Sequence, residues 1–430
     1  MNHALLHPRD EIVATMERVY RHRMTTTSGG NISVREPNGD VWITPSRVDK
    51  GSLRRTDIVR IFPDGTLEGP HPPSSEFPFH LRIYKARPDL RAIIHAHPGS
   101  LVSFSICGQA PDTRLFPQAW QVCGPVGFAR YALPGSELLG QHIAEVFARH
   151  PDCFCVMLEN HGVVVAGEDL ASAFQRFETL EFTAETILNA RLLGPVLYLD
   201  EARLELARAP RNLLPERAMD PASSSEKELR KQICDFVHRA YEQRLMTSTE
   251  GSFSGRTGAD EFVITSSHVD RRKLDLGDFV LVRDGACAPG QRPSRAVHLH
   301  RAIYREHPEI HAIVNALPVH ATAFAVSDFP LDTRTIPESY LLLKDVGKIP
   351  FEHHFGSGRE VAREVTPARP VALLENNGVL VAGRGVLDAF DRLEVLDATA
   401  SAILRARVLG PLTPMPPEVI EELVAAFPGI

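Results

Sequence analysis

The chain has 430 residues, 43% of them hydrophobic and 23% charged, and a net charge of −7. This is the make-up of a soluble globular protein with room for two or three domains, and its acidic balance argues against a nucleic-acid partner. No apolar run reaches the roughly 20 residues of a membrane helix, so no membrane association is expected. The N-terminus turns charged at Arg9, Asp10 and Glu11, with no apolar leader ahead of them. Cysteines at 107, 123, 153, 155, 234 and 287 form no C-x-x-C pair and suit a cytoplasmic, reducing setting.

In chain order, Asp10 to Arg23 carries helical apolar spacing. Val41-Trp42-Ile43 and Ile58 to Phe62 read as strands, the second entering a Pro63-Asp64-Gly65 turn. Pro73-Ser74-Ser75-Glu76 stands before a helix from Phe79 to Ala86. Ser74 and Ser75 are natural N-cap residues, and a helix N-terminus also favours anions. Ala92 to Ala96 is a strand and Leu138 to His150 a helix. Cys153 to Leu158 and Val163 to Ala166 are strands around an Asn160-His161-Gly162 turn, with Cys153 and Cys155 as buried strand cysteines. Leu170 to Leu193 is a long amphipathic helix.

Three histidines carry the chemistry. His95 and His97 sit two apart at the end of an apolar run, so strand alternation points both the same way. His161 follows the apolar run 155–158. Three imidazoles on rigid backbone can hold one divalent metal and leave positions open, the pattern of a catalytic site. Glu76 is then a carboxylate available as general base if the fold brings it near.

The chain repeats itself. Gly30-Asn31-Ile32-Ser33 meets Gly251-Ser252-Phe253-Ser254 at an offset of 221 (251 − 30), and Ile43-Thr44-Pro45-Ser46 meets Ile264-Thr265-Ser266-Ser267 at the same offset. His80 and Ile83-Tyr84 meet His300 and Ile303-Tyr304 at 220; Leu158-Glu159-Asn160 meets Leu374-Glu375-Asn376 at 216. One fold is used twice. We divide the chain into a catalytic domain, 1–209, a linker rich in Pro and Ser, 210–225, and a second domain, 226–430. In the second domain His95 becomes Asn315, His97 becomes Leu317, His161 becomes Asn377 and Glu76 becomes Ala296. Asn and Leu cannot replace imidazole as strong ligands, so this half is expected to hold no such metal site.

Gly30-Asn31-x-Ser33, Ile43-Thr44-Pro45-Ser46, Ser74-Ser75-Glu76, His95-x-His97-Pro98 and Asn160-His161-Gly162 together resemble the class II aldolase/adducin family over roughly residues 9–208. The resemblance implies two tandem α/β/α domains, each with a mainly antiparallel central sheet. It implies one divalent metal per chain on His95, His97 and His161, usually zinc, with iron, manganese or cobalt as alternatives, and Glu76 as the acid/base residue. Asn31, Ser46, Ser74 and Ser75 match positions that bind a substrate phosphate. Arg47 departs from the family's usual glycine and is expected to clamp an anion. The implied reaction is metal-dependent cleavage or formation of a C–C bond in a small, anionic hydroxy-carbonyl compound, through a metal-stabilised enediolate. Decarboxylase, dehydratase, iron-dependent oxygenase and non-catalytic adducin-like scaffold are the competing readings; Glu at 76 separates the chain from the family's epimerases, which carry Asp. The resemblance also implies the four-fold ring typical of single-domain members. Two tandem chains are therefore expected to close one pseudo-four-fold ring as a homodimer, or to pair two rings as a tetramer.

Overall fold

The computed structural model describes residues 6–209 and 213–428. Contacts divide the chain into two compact units, Met1–Arg114 with Gln118–Glu185, and Leu115–Pro117 with Thr186–Ile430.

The first half opens with α1 (Pro8–Arg21), where proline fits the first turn, Asp10 and Glu11 face the N-terminal dipole and Arg18 and Arg21 the C-terminal one. Then come β1 (Asn31–Arg35), β2 (Val41–Ile43), β3 (Val59–Ile61), β4 (Leu67–Glu68), α2 (Phe77–Ala86), β5 (Ala92–Ala96), α3 (Gly99–Ile106), α4 (Pro117–Cys123), β6 (Val126–Ala129), α5 (Glu137–Arg149), β7 (Cys155–Leu158), β8 (Gly162–Gly167) and α6 (Leu170–Arg191). Helix α2 starts two residues before the position read from periodicity, because Pro78 falls in its first turn, where no N–H is missed. The eight strands form one sheet in the order β4-β3-β2-β1-β5-β8-β7-β6, antiparallel throughout except for the parallel pair β6–β7.

One sheet face carries Ile43, Val59, Ile93, Val156 and Val164. It packs on Phe79 and Ile83 of α2 and on Ile143 and Phe147 of α5. Burying each such side chain favours folding by about 1.5–3 kcal/mol. Cys153 and Cys155 are both buried, although the strand begins only at Cys155. In register, Asn31 pairs with His95 and Ser33 with Ile93, so alternation puts all four on the α2 face.

A short helix, α7 (Glu201–Arg208), precedes the second half. There follow α8 (Ser224–Glu242), β9 (Ser252–Gly258), β10 (Glu261–Thr265), β11 (Phe279–Arg283), α9 (Val297–Glu306), β12 (Ala312–Ala316), α10 (Val319–Ala325), α11 (Pro337–Leu343), β13 (Gly347–Ile349), α12 (Phe351–His354), α13 (Arg359–Glu364), β14 (Val371–Leu374), β15 (Gly378–Gly383), α14 (Val386–Leu409) and α15 (Pro417–Ala426). Its sheet repeats the first, in the order β11-β10-β9-β12-β15-β14-β13, with only β13–β14 parallel. The Pro- and Ser-rich stretch at 210–225 is packed where it is described: Leu214 joins the second core, and Pro215 and Arg217 exchange backbone hydrogen bonds with Cys287. Residues 210–212 of it lie outside the described residues. Among the described residues, no helix is long and apolar enough to cross a membrane.

Candidate metal centre

The site forms at the ends of β1, β5 and β7, beside the start of α2. His95 is the fourth residue of β5 and His97 lies just past its end; their Nε2 atoms stand 3.0 Å apart. His161 closes the three-residue loop between β7 and β8, in which Asn160 takes the left-handed conformation (φ 53°) that asparagine tolerates. The next residue has to be glycine. A Cβ on Gly162 would lie 2.6 Å from the Ala96 carbonyl oxygen and 2.7 Å from His97 Cδ2. The three histidines offer ligand atoms within 4.8 Å of one another, the sole such group of His, Cys, Asp or Glu among the described residues.

His95 Nδ1–H donates to the Val163 carbonyl at 2.9 Å, which turns Nε2 toward the centre, where a metal would take the place of its proton; without one, the adjacent Glu76 carboxylate outweighs burial and holds the His95 ring above its ordinary value. Burial first, then the neighbouring His95, push His161 down to about 4 and His97 to about 3, so both are neutral and ready to ligate. Glu76 is buried between them: Oε2 lies 3.2 Å from His95 Nε2 and Oε1 3.4 Å from His161 Nε2. Burial alone would raise its carboxyl. The charge and hydrogen bond of His95, with His161 and Asn31, outweigh it and hold Glu76 well below the usual carboxylate range. Oε1 is buried without a hydrogen-bond partner. Three imidazole nitrogens within 4.8 Å of one another are a donor set that fits a divalent metal such as zinc, with the unpartnered Glu76 oxygen beside it.

A hydrogen-bonded chain stands behind the carboxylate. The Asn31 amide donates to Glu76 Oε2 at 2.9 Å while its Oδ1 accepts from His80 Nε2 at 2.5 Å. Oδ1 can only accept, so Nδ1 of His80 is the acceptor for the Ser33 hydroxyl at 2.7 Å, and Tyr84 hydroxyl stands 2.8 Å from Ser33 Oγ. His80 is fully buried and held neutral, at about 3, mainly by that burial. The sequence marks His80 only as a position repeated in both halves, and this positioning role was missed. The signal was available, because Ser33, His80 and Tyr84 all recur as Ser254, His300 and Tyr304.

The expected anion-binding residues come from two adjacent strips. Residues 44–46 run antiparallel to 72–74: the Ser46 N–H donates to the Pro72 carbonyl and the Ser74 N–H to the Thr44 carbonyl. Ser74 is buried, and its Oγ accepts from the Glu76 N–H at 3.3 Å. Ser75 and Arg47 are exposed, and Arg47 adopts φ 57°. Asn31, expected with them, instead faces Glu76 and His80. Beneath the loop lies a residue that patterning did not single out: the buried Lys50, whose ammonium donates to the Pro45 carbonyl at 2.5 Å and which burial pushes down to about 8. Arg271 does the same in the second half, donating to the Ser266 carbonyl.

The second unit keeps the scaffold without the ligands. Tyr304, Ser254 and His300 form the same chain, but His300 Nε2 now donates to Asn315, at the position of His95, at 2.7 Å. Asn377, at the position of His161, approaches His354 Nδ1 at 3.3 Å.

This doubled α/β/α architecture, with one histidine centre, defines a class II aldolase type of protein. The chain belongs to the class II aldolase and adducin family: the family's profile, described as the Class II Aldolase and Adducin N-terminal domain, matches residues 10–188 and again 231–404. Among its relatives, 3-oxo-tetronate 4-phosphate decarboxylase of Escherichia coli K12 is 31% identical over 208 residues, 47% of this chain and 95% of that protein. L-fuculose phosphate aldolase of Methanocaldococcus jannaschii is 34% identical over 183 residues, 42% of this chain and 95% of that protein. A solved L-fuculose 1-phosphate aldolase is 28% identical, covers 46% of this chain and 93% of its own, and superposes with a TM-score of 0.42.

Proposed function

We propose that the chain is a metal-dependent carbon–carbon lyase of aldolase type, acting on a small phosphorylated hydroxy-carbonyl compound. The observation that carries this reading is Glu76, a buried, ionised carboxylate between two histidines with one oxygen unpartnered. A divalent metal, zinc by the family's habit, would be held by His95, His97 and His161 and would supply Lewis acidity toward a carbonyl oxygen and its neighbouring hydroxyl. Glu76, ionised at rest, moves the proton: in the synthetic direction Oε1 takes it from the substrate carbon, and in cleavage Oε1 returns to that carbon the proton released by the substrate hydroxyl as the C–C bond breaks. Asn31 and His80 hold the other oxygen still. Ser46, Ser74 and Ser75, with Arg47 at the rim, bind the phosphate. The second unit is non-catalytic and serves assembly, the chain working in the cytoplasm as a homo-oligomer of two or four copies.

Decarboxylation is the second reading, favoured by the phosphate decarboxylase among the relatives. Both reactions break a C–C bond next to a carbonyl and need the same proton at carbon. Assay of ketose 1-phosphates for aldehyde release and of phosphorylated 3-oxo acids for CO2 release separates them. Glu76→Gln is expected to keep the metal and lower turnover on the active substrate about 100-fold or more; wild-type turnover would overturn the assignment. Arg47→Gly is expected to raise KM for the phosphorylated substrate more than it lowers kcat, and equal KM values would remove Arg47 from the site.

A further inference from the structure

The crossing of two helices on the outer layer is built twice in this chain, and the second version has been recharged. In the first unit Gly140 of α5 sits against α2, where an added Cβ would lie 2.8 Å from Arg82 Cδ and 3.4 Å from Phe79 Cα. In the second unit Gly358, at the start of α13, sits against α9, 3.0 Å from Leu299 Cα and 3.2 Å from Ala302 Cβ. These contacts pair Gly358 with Gly140, and the buried Val361 and Val365 with the buried Ile143 and Phe147, at one offset of 218 (358 − 140, 361 − 143, 365 − 147). In that register Arg359 stands where the first unit has Gln141, and Arg363 where it has Glu145. Across the crossing, at offset 220, Arg301 replaces Leu81, Arg305 matches Lys85, and Ala302 replaces Arg82.

The first version is charge-balanced: Arg82 pairs with Glu137 and Arg149 with Glu145. In the second, where Ala302 stands in place of Arg82, lies a cavity of about 510 Å³, walled by His298, Arg301 and Arg305 from α9 and by Arg359 and Arg363 from α13. On each helix the arginines are four apart, hence on one face and repelling. Two carboxylates offset them, Glu306 in the wall and Asp260, which forms a two-bond pair with Arg301. Among the described residues Arg305, Arg359 and Arg363 form no ion pair. An acidic chain has thus gathered self-repelling guanidinium groups around one hollow. Fold stability gains nothing from that, whereas a multiply charged oxyanion would relieve it.

The geometry points to a second ligand site, in the unit without metal ligands: the α9–α13 cavity binds a small molecule bearing phosphate groups. Its volume suits a metabolite and is too compact for a nucleic-acid track. Planar guanidinium forks match phosphate oxygens two at a time.

The test uses the full-length protein and inorganic pyrophosphate as the probe, by titration calorimetry at low and physiological ionic strength. Saturable binding is expected. The double variant Arg359→Gln with Arg363→Glu restores the first unit's residues on exposed positions and is expected to weaken it at least about 10-fold. Arg305→Gln, a milder change, is expected to weaken it in the same sense, and unchanged melting curves confirm the fold of each variant. Arg47→Gly, which alters only the first unit, is expected to leave this affinity intact. The proposal is overturned if pyrophosphate does not bind, if the α13 double variant binds as well as wild type, or if Arg47→Gly alone abolishes binding.

Discussion

A buried histidine that cannot be charged makes a protein's stability depend on pH, and His300 is such a residue. It is fully buried, and burial, partly offset by Asn315, holds it at about 4 against an ordinary 6.5. The other polar groups bonded to its ring are the neutral Ser254 and Asn315. Below pH 6.5 the unfolded chain takes up a proton that the folded one refuses. The contribution is therefore fully present above pH 6.5 and is lost as pH falls toward about 4, by a total on the order of 3 kcal/mol. Denaturant unfolding of His300→Gln is expected to show a shallower loss of stability than wild type across that window; equal slopes would show that His300 does not carry the effect. His300 and His80 also mark how the sequence could be read. The metal ligands were legible because chelation requires a particular spacing on adjacent strands. The chain behind Glu76 was not, because it joins β1 to α2 across 45 to 51 residues of sequence, and only the recurrence of the trio in both halves hints at it.

At the scale of elements, the β7–β8 hairpin and β5 aim the ligands. Their close approach at Gly162 leaves no room for a methyl group. Gly162→Ala is expected to push His97 off the common point and weaken metal affinity about 10-fold or more while both sheets persist. Metal content measured against a competing chelator checks this; undiminished affinity would mean that the hairpin yields without disturbing His97. Strand and helix positions followed the hydrophobic period closely, since β2 and β5 have the bounds that the pattern gives. Boundaries set by local chemistry were harder to see. Pro78 lets α2 start early, and the Pro-rich stretch at 213–223, polar enough to suggest a tether, is anchored by Leu214 and by the carbonyl of Pro215, which accepts although proline cannot donate.

For the whole molecule, a single histidine centre among the described residues predicts one ion per chain. Reconstituted protein is expected to contain one equivalent of transition metal, and His95→Ala none. Because an ion bound only by the native state stabilises it by mass action, about 2.7 kcal/mol at 100 times the dissociation constant, the melting temperature is expected to rise with free metal in wild type and to stay flat in His95→Ala. Two equivalents per chain, or a rise in both proteins, would contradict a single centre. The doubling itself was plain in the sequence, because an offset that drifts by only five residues over the chain leaves little room for another fold.

The histidine beneath each sheet rests on a different acceptor, and that difference has a consequence for substitution. In the first unit His80 rests on Asn31, leaving position 95 free to be a ligand; in the second, position 31 is Ser252 and His300 rests on Asn315 itself. A lone Asn315→His reversion would therefore not begin to rebuild a centre. It would strand a buried imidazole N–H at a cost of about 1–3 kcal/mol. Ser252 would first have to become asparagine, a change without benefit until histidine follows. An imidazole at position 315 therefore needs two changes, one without benefit alone and the other costly alone, so the second sheet resists acquiring a ligand there by single substitutions.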